Sequence, residues 1–249
     1  MSALESFAWL AAAGVVAGAI GSAGGITSLV SYPALLLTGL SPIAANITNL
    51  VAVVACWPGS ALVSRAELTG SGGWLVRALP AAAVGSLIGA TMLLITPAEA
   101  FARVVPILVA GGSVALLLQP VLTARGTVRR RPRSTAAFGG IAAVSVYSGY
   151  FGAGSGVLLL AWLLLVVEPR LPVANALKNM LIGAAAIASA VLFALAGPVP
   201  WAATVALGLG EFGGSLLGPV VARHVPARIV RWAVAALGLG LAIELWLRP

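Results

Sequence analysis

The stretch GAIGSAGGIT, residues 18–27, places four glycines inside the first apolar segment of the chain. A helix that crosses a lipid bilayer needs no such interruption, and glycine is among the weakest helix formers. A second stretch, GYFGAGSGVL at 149–158, carries glycines at the same spacing as Gly18, Gly21 and Gly25. Two interruptions at matching places predict a duplicated fold with one turn inside the membrane in each copy.

Composition places the protein in the bilayer. Hydrophobic residues make up 61% of the 249 residues and charged residues only 8%, and the mean hydropathy is +1.09. A soluble domain carries roughly 25% charged residues, so most of this surface faces lipid. The sequence therefore predicts an all-α polytopic membrane protein. Because MSALESF at the start has no Lys or Arg, we expect the first segment to be retained rather than removed as a signal peptide.

The net charge of +8 does not indicate a nucleic acid partner, because five of the fourteen cations lie in RGTVRRRPR, residues 125–133. The positive-inside rule assigns such a cluster to a cytoplasmic loop. The expected surroundings are the lipid bilayer of the cell inner membrane. A homodimer is also compatible with the sequence.

The chain divides into two halves of five apolar segments each. Besides the glycine stretches, PIAANITN (42–49) matches PVANALKN (172–179), and GSLIG (85–89) matches GSLLG (214–218). Three landmarks in the same order predict a first transmembrane repeat over 1–124, a basic linker over 125–134 and a second repeat over 135–249. The segments are 7–21, 25–39, 43–63, 74–95, 102–122, 136–151, 156–168, 172–196, 200–222 and 227–247.

The first two segments of each half are about 14 residues long, or ~21 Å as helices, which is short of the ~30 Å hydrocarbon core. A pair acting as one broken span gives four crossings and parallel repeats, whereas a pair that enters and returns gives inverted repeats. The inverted arrangement puts the linker, the loop 222–231 and the loop with Arg65 and Arg77 inside, as the positive-inside rule favours. We therefore expect two inverted-topology repeats, each a hairpin of short broken helices plus three full transmembrane helices, with both termini outside.

The glycine cluster, the following GLSPIAANITNLVAV (39–53) and their repetition after the basic linker resemble the sulfite exporter TauE/SafE family over essentially the whole chain. Members are small membrane proteins with duplicated halves. The resemblance implies transport of sulfite or a small organosulfonate, usually export. Ser22, Ala23 and Ser155 stand where glycine is common in the family.

The glycine breaks are the first candidates for binding a sulfur-containing anion. A helix that begins inside the membrane presents unpaired N–H groups and a partial positive charge, both of which favour an anion. The alternative is that the glycines only allow helices to pack closely. The candidate substrate-binding residues at the breaks are Ser22, Gly24, Gly25, Thr27, Gly154, Ser155 and Gly156.

Four asparagines form a second group of candidates, since an Asn amide offers both donors and an acceptor. Asn49 and Asn179 occupy the same repeat position, and each shares a helix face with a neighbour, Asn46 or Asn175. These amides are expected either to ligate the anion or to hydrogen-bond between helices.

Lys178 is the only lysine and lies ~9 Å into its span by helix rise. A cation at that depth is a functional-site candidate, although a lysine there is also able to extend to the interface. Glu211 is the deepest acid, and we expect it either to carry a coupling proton or to neutralise Lys178. Two pairs of small residues, the GSLIG and GSLLG copies and Gly14 with Gly18, predict close helix packing.

These features predict a secondary transporter that binds its anion between the repeats and is driven by proton motive force. A passive channel for small oxyanions is the alternative, because helix ends also line pores. The chain has no Walker motif. With no Asp, one His and one Cys, it offers no ligand set for a metal, and no cofactor or enzymatic activity is expected.

Overall fold

A computed structural model describes residues 2–124, 135–224 and 226–247, and it folds them into eleven α-helices without a β-strand. The predicted basic linker, 125–134, lies outside the described residues. The helices are α1 (Ala3–Gly24), α2 (Thr27–Leu36), α3 (Pro42–Ala52), α4 (Cys56–Val63), α5 (Gly72–Ile95), α6 (Ala98–Ala124), α7 (Thr135–Tyr150), α8 (Ser155–Val166), α9 (Leu171–Ala196), α10 (Trp201–His224) and α11 (Ala227–Leu247).

Every predicted apolar segment is helical, and within the described ranges six helical stretches are long and apolar enough to cross a membrane. Those stretches confirm a polytopic membrane protein. Helix α10, where the sequence also predicts a full span, has 24 residues, which is long enough to cross the hydrocarbon core. The six stretches are Ala3–Ser22, Pro42–Leu62, Gly72–Ile95, Ala98–Val121, Leu171–Ala196 and Arg228–Leu247.

Helix α1 is longer than the sequence predicts, with 22 residues rather than about 14. A capping box of Ser2 and Glu5 begins it, since each side chain bonds the backbone N–H of the other residue. Gly18 and Gly21 remain helical, and the break comes only after Gly24. Its partner α2 has 10 residues, and the corresponding α7 and α8 have 16 and 12.

The glycines of α1 and α10 allow the two helices to lie directly against each other. This contact explains how far α1 extends. A Cβ added at Gly18 would stand 2.3 Å from the Glu211 carbonyl oxygen, and one at Gly214 would stand 2.1 Å from that of Val15. Gly14 is equally close to the backbone of α10. Helices without Cβ atoms at their contact pack backbone to backbone, as the small-residue motifs predict.

The same interface recurs between α5 and α7. A Cβ at Gly89 would lie 1.9 Å from the Val146 carbonyl oxygen, and one at Gly149 would lie 2.1 Å from that of Ser86. The first segment of each half therefore packs on the fourth segment of the other half, and the second packs on the fifth, as α2 does on α11 and α8 on α6. This exchange of contacts is the one expected from a two-fold relation between the predicted halves. That its axis lies in the membrane plane, which makes the repeats inverted, remains a prediction.

The third segment of the first half is interrupted. Between α3 and α4 the backbone tightens into a three-residue 3₁₀ turn, Val53–Ala55. Pro58 accounts for the change, because it has no N–H to bond the carbonyl of Val54 one α-helical turn earlier. The turn and the start of α4 pack against α10, and both also contribute to the cavity described next.

Candidate functional site

A cavity of about 60 Å³ lies where the two halves meet. Because a buried water needs at least about 10–15 Å³, the cavity has room for a few waters or one small anion. Seven hydroxyls from both halves and one ammonium are among its walls. The lining residues are Gly21, Ser22, Gly25, Thr27, Ser28, Leu50, Val53, Cys56, Trp57, Ser60, Ser148, Gly152, Ser155, Gly156, Lys178, Asn179, Ile182, Gly183, Ala186 and Ser189.

The two glycine breaks meet at this cavity. Gly25 ends α1 in the left-handed conformation, with φ +72°, and its N–H bonds the carbonyl of Gly21. Gly156, at the start of α8, lies directly against it, so that a Cβ there would be 2.7 Å from the Gly25 Cα. The breaks from the two halves therefore touch backbone to backbone, which only glycine allows.

The second break is held by its own turn. Gly152 and Gly154 have φ of +83° and +77°, and the Tyr147 hydroxyl donates to the carbonyl of Ala153 at 2.6 Å. The amide of Ser155 donates to the Gly152 carbonyl. This turn begins five residues earlier in its copy than the first break does, because α7 ends at Tyr150 and α1 at Gly24.

The start of α8 offers fewer free donors than the sequence predicts. The amides of Ser155 and Val157 both donate to carbonyls of the preceding turn, at 3.0 Å, and the Ser155 hydroxyl donates to that of Ser148 at 3.2 Å. At the other break no side chain caps α2, whose first residues Thr27 and Ser28 line the cavity. No side chain caps α8 either, and the Leu29 amide of α2 donates to the Ile26 carbonyl at 3.1 Å, so the two termini are alike in this respect.

Lys178 lies on the cavity wall and is only 2% exposed. Its ammonium nitrogen is buried, and in the described ranges no acceptor bonds it. It therefore does not extend to the membrane interface as a lysine near a helix end is able to do. A buried ammonium without a counter-charge is costly, and an anion in the cavity removes that cost.

The four predicted asparagines divide into different roles. Asn179 lines the cavity and donates to the Ser64 hydroxyl at 3.4 Å. Asn46 instead donates to the carbonyl of Tyr150 at 2.9 Å, joining the halves, and Asn49 accepts from Ser31. Asn175, whose side-chain oxygen is buried without a described partner, does not line the cavity.

Glu211 is fully buried and lies behind the cavity wall rather than on it. Its Oε2 is 3.8 Å from the Cys56 sulfur, which is also 3.8 Å from the Glu211 backbone carbonyl. Ser31 is its other polar neighbour. The described residues form one ion pair, between Arg170 and Glu168, so the pairing of Glu211 with Lys178 considered from the sequence is absent.

The structure thus brings seven predicted site residues to one cavity and leaves the three asparagines at 46, 49 and 175 and Gly154 off its walls. Gly154 packs on Gly112 instead. Sequence reasoning missed five polar or aromatic lining residues, although the serines at 60 and 189 recur at the repeat spacing and were a usable signal. The seven are Ser22, Gly25, Thr27, Ser155, Gly156, Lys178 and Asn179, and the five missed residues are Cys56, Trp57, Ser60, Ser148 and Ser189.

A bundle of apolar membrane helices that encloses a polar, cation-bearing cavity between its halves defines a membrane transporter. The chain belongs to the sulfite exporter TauE/SafE family, whose model matches residues 7–245. This match confirms the resemblance seen in the glycine and asparagine motifs.

Named relatives agree with that class. "Probable membrane transporter protein ORF9" of Sinorhizobium sp is 26% identical over 253 residues, covering 99% of this chain and 95% of the relative. "Probable membrane transporter protein YfcA" of Escherichia coli is 26% identical over 233 residues, covering 93% and 86%. No solved structure matches the chain. Family and relatives indicate a transporter rather than an enzyme.

Proposed function

We propose that this protein is a secondary transporter that exports sulfite or a similarly small sulfur oxyanion across the cytoplasmic membrane, with the anion bound in the cavity between the two halves. The buried, unpaired ammonium of Lys178 carries the proposal. In the described part of the chain no carboxylate opposes this cation, so its charge is available to an anion in the cavity.

The remaining walls suit a compact oxyanion. Hydroxyls of Thr27, Ser28 and Ser60 and the amide of Asn179 line the same space as Lys178, and each offers a donor. The Ser22 hydroxyl, also on the wall, donates to the Ala19 carbonyl at 3.3 Å. A cavity of about 60 Å³ favours an anion of few heavy atoms over a long organosulfonate. The inverted repeats, the cytoplasmic linker and the outward termini expected from the sequence are part of the same proposal.

The test is binding and flux with the purified full chain. Sulfite, sulfate, sulfoacetate and taurine are titrated calorimetrically in detergent, and radiolabelled sulfite exchange is followed in proteoliposomes. In Lys178→Met the loss of one charge-assisted hydrogen bond, worth about 1.5–3 kcal/mol, weakens sulfite binding by about 10- to 150-fold. Arg103→Gln is the control, because Arg103 is exposed on α6.

Stability separates a binding role from a structural one. Replacing an unpaired buried charge by an apolar side chain of similar length is neutral or stabilising, so anion-free Lys178→Met is expected to unfold at the same temperature or higher. Unchanged sulfite affinity in this variant contradicts the proposal. Sulfite currents that persist as single-channel openings would favour a passive channel instead.

A further inference from the structure

The carboxyl of Glu211 lies in buried surroundings that the helical structure of α10 does not by itself explain. It is fully buried, and its Oε1 has no hydrogen-bond partner among the described residues. Cys56 and Ser31 are its polar neighbours, and the Ser31 hydroxyl also donates to Asn49. An acid at this depth in a membrane bundle is a candidate for carrying protons or ions.

No cation in the described structure faces this carboxyl. Helix α1 contributes one titratable group, Glu5, in its exposed first turn, and α3 and the 3₁₀ turn contribute none. Helix α4 contributes Cys56, while Tyr32 of α2 bonds the carbonyl of Pro42. A carboxylate without a counter-charge is costly in a medium of low dielectric constant. The Glu211 carboxyl avoids that cost either by binding a proton or through a change in its surroundings.

Cys56 connects this carboxyl to the cavity. Its side chain is on the cavity wall with Lys178, and its sulfur is 3.8 Å from Glu211 Oε2. It follows the 3₁₀ turn that Pro58 imposes on the third segment. One side chain at an irregular point of the backbone therefore touches both the cavity and the buried acid.

We propose that Glu211 is the proton-binding site of this transporter and that Cys56 is the positioning residue that couples its protonation to occupancy of the cavity. The step adds one proton to a carboxylate oxygen of Glu211 and breaks no other bond. An anion at Lys178 displaces the cavity-facing thiol, and the thiol changes its hydrogen bond to the carboxyl. The inference rests on the proposed anion carrier.

Proteoliposomes holding the full chain and a trapped pH dye test the inference with radiolabelled sulfite. Two modes are compared: sulfite exchange with equal concentrations on both sides, and uphill accumulation driven by an imposed pH gradient at clamped potential. Glu211→Gln is expected to lower gradient-driven accumulation at least tenfold more than it lowers exchange. Glu99→Gln, an exposed acid in the first turn of α6, is expected to keep both. Because sulfite itself takes up protons near neutral pH, each variant is compared with wild type.

Cys56 supplies an independent arm that needs no change at the acid. Cys56→Ala is expected to move fewer protons per sulfite transported, whatever its exchange rate, and to shift the pH profile of accumulation, and Cys56→Ser is expected to restore both. If Glu211→Gln couples protons to sulfite transport as wild type does, the inference is overturned. If that variant does not fold, wild-type coupling of protons to sulfite in Cys56→Ala overturns it instead. If wild type does not exchange sulfite, the proposed function fails; if it exchanges sulfite without proton dependence, the proton site fails alone.

Discussion

Substituting Gly18 by Ala measures how much the contact between α1 and α10 stabilises the fold. The added Cβ would stand 2.3 Å from the Glu211 carbonyl oxygen, where an ordinary contact needs about 3.4 Å, so the helices must separate by roughly 1 Å. A gap of that size forfeits between a quarter and a half of the dispersion energy of each atom pair it opens. We expect destabilisation of about 1–3 kcal/mol, as for other overpacked interiors.

Gly213→Ala is the matched control, because it also replaces a helical glycine by alanine, on α10, where the added Cβ meets nothing within 4 Å. The difference in helix propensity is common to both variants, so the difference between them reports packing alone. Gly149→Ala, at the repeat position of Gly18, faces the Ser86 carbonyl at 2.1 Å and is expected to cost a similar amount.

The assay is unfolding of the purified protein in mixed micelles, by heat and by increasing SDS. For a chain of this size each kcal/mol lowers the melting temperature by about 2–4 °C. The reasoning is refuted if Gly18→Ala and Gly213→Ala unfold at the same temperature, since the close approach of α1 and α10 would then contribute nothing to stability. A large effect at Gly18 with none at Gly149 would contradict the equivalence of the two interfaces.

Three further variants test other contacts. Gly183→Ala places a Cβ 1.8 Å from the Trp57 ring, and we expect the displaced indole to weaken sulfite binding at least tenfold by calorimetry while the protein remains folded. Asn46→Leu removes the amide donor that bonds the carbonyl of Tyr150; about 1–3 kcal/mol of stability is lost, and an unchanged SDS midpoint would contradict this. Ser2→Ala removes the side-chain cap of α1 at a cost of about 1 kcal/mol, which hydrogen exchange detects as faster exchange in the first turn alone.

Much of the fold was predictable because bilayer chemistry restricts the choices. A backbone in lipid must satisfy its own hydrogen bonds, so long apolar segments become helices. The bounds of α9 and α11 agree with the predicted segments within one residue at each end. Helix α1 was predicted to end at residue 21, because the glycines from Gly21 to Gly25 were interpreted as a break, whereas it ends at Gly24. Glycine has the same local conformational preference in a closely packed helix as at a helix break. Only the presence of α10 alongside α1 selects the helical conformation.

The site was predictable to the extent that its residues are conspicuous. A single lysine in a membrane span and paired glycine stretches are recognisable in the sequence alone. Lys178, Gly25 and Gly156 do line one cavity. The sequence does not indicate that Cys56 belongs to the site, because a small thiol in an apolar segment is most often a core residue. Its contact with Glu211 joins residues 155 positions apart in the chain, and no local pattern reports such a distance.

The sequence by itself determined the class of this protein, its duplicated order of segments and the glycines at which its backbone turns, because hydropathy, spacing and conformational freedom are local properties. Only the tertiary structure decided that α1 continues past Gly21 to Gly24, and that Lys178 faces an anion-sized cavity in which no described acid opposes it. It alone placed Glu211 behind Cys56. These outcomes depend on which helices of one half lie against the other, and that arrangement is set by close backbone packing between residues far apart in the sequence.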